Sequence, residues 1–190
     1  MWTQIVGKFR LAQTPWINHS WQAAFYVSAR GLTTSLIPGA ASSYEVVFDL
    51  IEQRLHVDAT DGRREILTLE PMSVAQFHAR FVDALARLGA PTEFHHAPNE
   101  VPAPVPFREQ TAPGAYDPDA ARDFWRALVA IDGVLKRFRP ALSARSARST
   151  CSGAASTSRS PVSPGARRRC IQAACRPCRM RSPARPTRTR

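Results

Sequence analysis

Residues 44 to 69 alternate between apolar and polar positions, and that period of two constrains the fold more than any other feature of the chain. Tyr44, Val46, Phe48 and Leu50 interleave with Glu45, Val47, Asp49 and Ile51, as a strand with one buried face requires. Arg54-Leu55-His56-Val57-Asp58-Ala59 alternates again, with Leu55, Val57 and Ala59 on the inner face. Asp61-Gly62 is a hairpin signal, because glycine tolerates the positive φ such turns need. Glu65-Ile66-Leu67-Thr68-Leu69 returns as the next strand and Pro71 stops it. Ser73 then stands three residues before Gln76, the spacing of a capping box. Val74, Phe77, Phe81, Leu85 and Leu88 follow at helical spacing, with Gly89 and Pro91 closing the helix. A meander followed by a helix can nucleate a core.

The flanking segments extend this unit. Trp2, Ile5, Val6, Phe9 and Ala12 fit one face of a helix ended by Thr14-Pro15. Asn18-His19-Ser20-Trp21 leads as a loop into a strand over Phe25 to Arg30. Gly31 permits a bend there, and Leu32 to Ile37 continues as strand to the Pro38-Gly39 turn. Thr92 to His96 reads as another short strand. Pro98, Pro102, Pro104, Pro106 and Pro113 then punctuate a long extended loop. Asp117-Pro118 starts a helix, with Asp as the cap and Pro at the first helical position. Phe124, Leu128, Ile131, Leu135 and Phe138 give that helix a core-facing stripe up to Pro140. The expected fold is α+β: a mostly antiparallel sheet of about five or six strands with helices packed on one face.

Composition divides the chain at Pro140. The net charge of +11 invites a nucleic-acid reading, but residues 1–140 hold fourteen basic and fifteen acidic residues, a net −1. Residues 141–190 hold twelve arginines and no acid. Every aromatic residue and every histidine precedes Pro140, and all four cysteines follow it. Residues 1–140 are expected to be the globular domain. Residues 141–190, with little to bury against their ordering entropy, are expected to be a disordered Arg/Ser/Ala/Pro-rich tail. The tail would bind phosphate backbones by counterion release, without aromatic residues to read bases. No specific nucleic-acid partner is expected. No apolar run is long enough for a membrane span and no signal peptide is recognisable, so the expected location is cytoplasmic.

Site signals are sparse. His19 lies in a loop, where binding residues concentrate. Arg30, at a strand bend, is a candidate anion holder. Glu93 and His95 share a face of the expected strand, where a carboxylate can orient an imidazole as general base. Against each stands the commoner arrangement, a solvated polar side chain. His56 is expected to be solvated and His78 to pack. Cys170, Cys175 and Cys178 include a CxxC, but zinc wants four ligands and no histidine lies nearby. No metal and no cofactor are expected, and there is no GxGxxG, Walker loop, HExxH or GxSxG.

The segments Trp2 to Lys8, Asn18 to Trp21, Tyr26 to Thr34, Pro106-Phe107, Tyr116-Asp117-Pro118 and Phe124-Trp125-Arg126 resemble a bacterial family. It is number five-nine-nine-six in the domain-of-unknown-function series. The resemblance covers residues 2 to about 139 and implies no reaction, cofactor or partner. It does imply an aromatic continuation resembling Phe-Trp-Gly-Ser-Phe-Asp-Leu after the last helix, which this chain lacks. The genetic code offers an explanation. Reading Cys151 to Ser158 one base out of register, with TCN for serine, successive residue pairs allow Phe, Trp, Gly, Ser, Phe, Asp and Leu in that order. A shifted reading frame near Pro140 is therefore expected. Three functions remain open: a ligand- or partner-binding domain, an enzyme using His19, Arg30 or the Glu93/His95 pair, and a frameshifted product without function.

Overall fold

The computed structural model describes residues 1–99 and 101–139, together with the backbone of residues 151–152. Five strands form an antiparallel meander: β1 (Ala24–Val27), β2 (Gly31–Thr33), β3 (Tyr44–Asp49), β4 (Arg54–Ala59) and β5 (Arg64–Thr68). A two-residue strand, β6 (Cys151–Ser152), pairs antiparallel with Ala24 and Phe25 on the outer edge of β1. Three helices accompany them: α1 (Trp2–Gln13), α2 (Val74–Arg87) and α3 (Pro118–Phe138). The fold is α+β, as the sequence indicates.

The alternation sets the register. Phe48 lies opposite Leu55, Val46 opposite Val57 and Tyr44 opposite Ala59, so apolar residues of neighbouring strands share a face. That face carries the core, where Ile5, Val6 and Phe9 of α1 meet Phe77, Phe81 and Leu85 of α2. Phe9 meets Phe81 edge-on at 5.9 Å between ring centroids, and Trp2 stacks on Phe77 at 4.8 Å. On the opposite face Thr33 bonds to Glu45, Asp58 pairs with Arg64, and Ile66 is 50 % exposed.

Both ends of α2 are built as the sequence signals. The Ser73 hydroxyl accepts from the Gln76 amide at 3.1 Å, and the Gln76 side chain accepts from the Ser73 amide at 2.9 Å. At α3 the Asp117 carboxylate accepts from the amides of Asp119 and Ala120. These caps satisfy N–H groups that have no partner inside a helix.

Four expectations need correction. The strand from Leu32 to Ile37 stops at Thr33, because Ser35 takes a φ of +54°; Ile37 makes only an isolated bridge to Tyr44. Thr92 to His96 is not a strand. It has no strand partner, and its backbone bonds instead to the loop that follows, the Phe107 amide donating to the His96 carbonyl at 2.8 Å. Ala12 is exposed, whereas Lys8 and Arg10 of α1 are buried. Arg10 donates to the Ala24 carbonyl and to Ser35, and lies 5.3 Å from the Tyr26 ring centre, tying α1 to the sheet.

The fourth correction concerns α3. Of its expected core stripe only Leu128 is buried; Leu135 is half-buried, and Phe124, Ile131 and Phe138 are 41–49 % exposed. The helix packs on β1 and β2, strands of four and three residues. Those strands span roughly 14 Å, against roughly 30 Å for 21 helical residues. The first half of α3 is seated, with the Trp125 indole donating to the Ser28 carbonyl at 3.1 Å. The second half overhangs. The tail expected to be disordered, 141–190, lies outside the described residues except for the backbone of Cys151–Ser152, which forms β6; its expected nucleic-acid binding and its CxxC at Cys175 and Cys178 lie outside them.

Candidate functional site

Between α2 and α3, residues 91–117 run as a strap across α2. Phe107 fills the core from a short 3-10 turn, Phe107–Glu109. The Ala75 amide donates to the Gln110 carbonyl at 3.1 Å. Gly114 lies so close to the segment leading into α2 that a Cβ there would stand 2.3 Å from the Met72 carbonyl oxygen. The strap is thus laid backbone against backbone, and it brings Tyr116 to the open end of the core.

A cavity of about 380 Å³ remains where the strap, the first turns of α1 and α3, and the inner sheet face converge. Its walls are aromatic and aliphatic: Trp2, Leu32, Phe48, Met72, Tyr116 and Phe124 carry most of the shape. No acidic or basic side chain is among its lining residues; the polar groups are the Thr3 hydroxyl, backbone, and the Met1 amine at the rim. Burial holds that amine below its ordinary pKa. Trp2 stacks between Phe77 and Tyr116, at 4.8 and 5.0 Å. The Tyr116 hydroxyl donates to Gln53, whose amide nitrogen donates to the Leu50 carbonyl at 2.7 Å. Burial pushes the Tyr116 phenol upward, opposed by the field of Arg122, so the group is neutral near pH 7. The cavity therefore offers mainly aromatic and aliphatic walls without a charged side chain.

None of the four site candidates, His19, Arg30, Glu93 and His95, lines this cavity. His19 is exposed, in a left-handed backbone conformation (φ +57°), with its ring 6.3 Å from that of Trp21. Arg30 is committed to two carboxylates, Asp49 and Glu52. Glu93 and His95 both sit on the strap and are exposed; the His95 ring nitrogen Nδ1 lies 3.1 Å from the Ala97 carbonyl. No hydrogen bond or ion pair joins any two of these four among the described residues. His56, expected to be solvated, has only 14 % of its side chain exposed and stands 4.0 Å from the Asp49 carboxylate. His78 and His96, eighteen positions apart, meet ring to ring, a pairing with no local signal.

Among the described residues no group of three or more His, Cys, Asp or Glu side chains is arranged to hold a metal ion, and no helix is long and apolar enough to cross a membrane. A family model described as a family of unknown function, DUF5996, matches residues 1–151. No curated protein and no solved structure matches the chain.

Proposed function

For a chain that belongs to the DUF5996 family, whose function is unknown, we propose a domain that binds a small, uncharged, largely apolar molecule with a flat aromatic part. The observation that carries this reading is the 380 Å³ cavity with its aromatic walls and no charged side chain. Pockets of about 300–1,000 Å³ hold ligands of drug size. A charged ligand would lose its hydration there with no charged side chain as partner; a planar apolar one buries surface against Phe48, Met72, Tyr116 and Phe124. The reading is preferred over an enzyme because Arg30 already spends its charge on Asp49 and Glu52, while His19 and His95 stand in solvent, apart from any cavity lining.

Titration with an uncharged naphthyl fluorophore tests it. Saturable binding at one site is expected, weakened about tenfold or more by Ala121→Phe, which fills the cavity. The melting temperature of that variant should stay close to wild type. Binding that Ala121→Phe leaves unchanged would place the probe elsewhere and end the proposal.

A second reading is favoured by α3. We propose that the frame shifts between Pro140 and Cys151 and that the residues beyond the shift are an out-of-frame translation without a function of their own. The break in charge and aromatic content supports this, as does the alternative reading of Cys151 to Ser158. So does the apolar stripe of Phe124, Ile131, Val134 and Phe138, exposed to 41–56 %, a patch of the kind that marks a covered surface or an aggregation hazard. Sequencing the gene decides it. Codons compatible with Phe-Trp-Gly-Ser-Phe-Asp-Leu in the shifted frame are expected, and a one-base repair should raise solubility. Codons that forbid that reading, or a stop at once in the other frame, would dismiss it.

A further inference from the structure

His78 Nε2 and His96 Nδ1 stand 2.9 Å apart, with their rings nearly perpendicular at 87°. His78 belongs to α2 and is 8 % exposed; His96 is half-buried on the strap. The surroundings are aromatic. The Phe94 and Phe107 rings lie 6.1 Å from His78, and Phe94 lies 4.5 Å from His96. A nitrogen-to-nitrogen hydrogen bond needs one N–H and one lone pair. Two neutral rings meet that need, and so does one imidazolium beside one neutral ring. Two imidazoliums do not: each would point an N–H at the other, with both charges in an apolar setting.

The pair also occupies a particular place. The His96 carbonyl accepts from the Phe107 amide, and Phe107 is the buried anchor of the strap. Residues 94–110 are held against α2 by the histidine pair, by the Phe94 and Phe107 rings, and by the bond from Ala75 to Gln110. Only the first changes its chemistry in the range where histidines titrate.

We propose that His78 and His96 form an acid-released clasp, which pins the strap to α2 while the two rings hold at most one extra proton and frees it when both are protonated. The charged groups around the pair act in the same direction or are neutralised. Arg108 on the strap disfavours a proton on His78, and Glu109 pairs with Arg108 at 3.7 Å. His95 turns its ring to the Ala97 carbonyl and is exposed. Along α2 the residues one turn away are Val74 and Val82, and α1 reaches the cluster through Phe9, whose ring is 6.2 Å from Phe94. Burial, then the fields of His96 and Arg108, hold His78 below its ordinary pKa of 6.5. The released chain binds the proton more readily than the clasped one. The clasp is therefore fully effective above that value and weakens as the pH falls through and below it. The strap carries Tyr116 and so one wall of the cavity, but the clasp depends on the histidine pair alone, whether or not a ligand binds.

Hydrogen exchange of the full chain, read by mass spectrometry at about pH 8 and about pH 5, tests this, with rates corrected for the pH dependence of exchange itself. Peptides within 94–110 should exchange severalfold faster in acid, while β3 and β4 stay protected. His96→Gln keeps a neutral partner for His78 and should reduce the acid sensitivity to what the burial of His78 alone contributes. Nitrogen-15 shifts of the two rings in the wild type should change together, as protonation of a coupled pair requires. Equal strap protection at both pH values, acid loosening as large in His96→Gln as in the wild type, or rings that protonate independently of one another would each overturn the proposal.

Discussion

Replacing Phe81 by alanine should lower the unfolding free energy by roughly 3–5 kcal/mol, the range for removing a fully buried phenylalanine. Phe81 has no exposed surface and lies at the centre of the α2 stripe. Its ring meets Phe9 edge-on at 5.9 Å and stacks with Phe77 at 6.3 Å. The three rings come from α1 and α2, so the cavity left by the substitution would open between two helices that are themselves fixed to the sheet. Neither can collapse into it without moving the strands beneath. Thermal melting followed by circular dichroism should show a fall of roughly ten degrees or more. A midpoint within about a degree of wild type would mean that the core is not organised around this ring.

The meander and α2 were legible because their signals are local. Alternation along β3 and β4 fixes which residues face the helices, and a one-residue slip would expose them all. The capping box of Ser73 and Gln76 depends on four consecutive residues. Other elements failed where a distant partner decides. Thr92 to His96 has strand-like composition but no neighbouring edge, so Phe94 turns into the core and the backbone follows the strap. Phe124, Ile131 and Phe138 keep perfect helical spacing, yet spacing shows only that they share a face. The length of β1 and β2 determines how much of that face is covered.

The candidate site was less legible for the same reason. His19, Arg30, Glu93 and His95 were marked by residue type, and residue type does not show what a side chain already holds. Asp49 and Glu52 occupy Arg30 from 19 and 22 residues away along the chain. The cavity draws Trp2, Leu32, Phe48, Met72 and Tyr116 from five separate segments, and each alone reads as an ordinary core residue. The histidine pair is similar: His78 is next to a core phenylalanine in sequence, and only the path of the strap brings His96 to it.

Gly31→Ala should be as costly as the loss of Phe81, through the backbone rather than the core. Gly31 adopts a φ of +155°, and a Cβ built there stands 1.9 Å from the Phe48 carbonyl oxygen and 3.1 Å from the Leu50 amide nitrogen. Both are backbone atoms of the adjoining chain, held by pairing of Gly31 with Asp49 and by the bond from the Leu50 amide to the Arg30 carbonyl. No rotamer change can relieve such a clash. The two chains must separate, and the register that sets Leu32 opposite Phe48 goes with them. The same turn carries the Arg30–Asp49 pair and the Ser28 carbonyl that receives the Trp125 indole. A loss of roughly 3–5 kcal/mol is expected, in the range reserved for backbone strain and broken buried networks. Because Leu32 and Phe48 both wall the cavity, the folded remainder of this variant should also bind the naphthyl probe more weakly. Urea unfolding with a midpoint equal to wild type would show that β2 and β3 do not approach each other this closely.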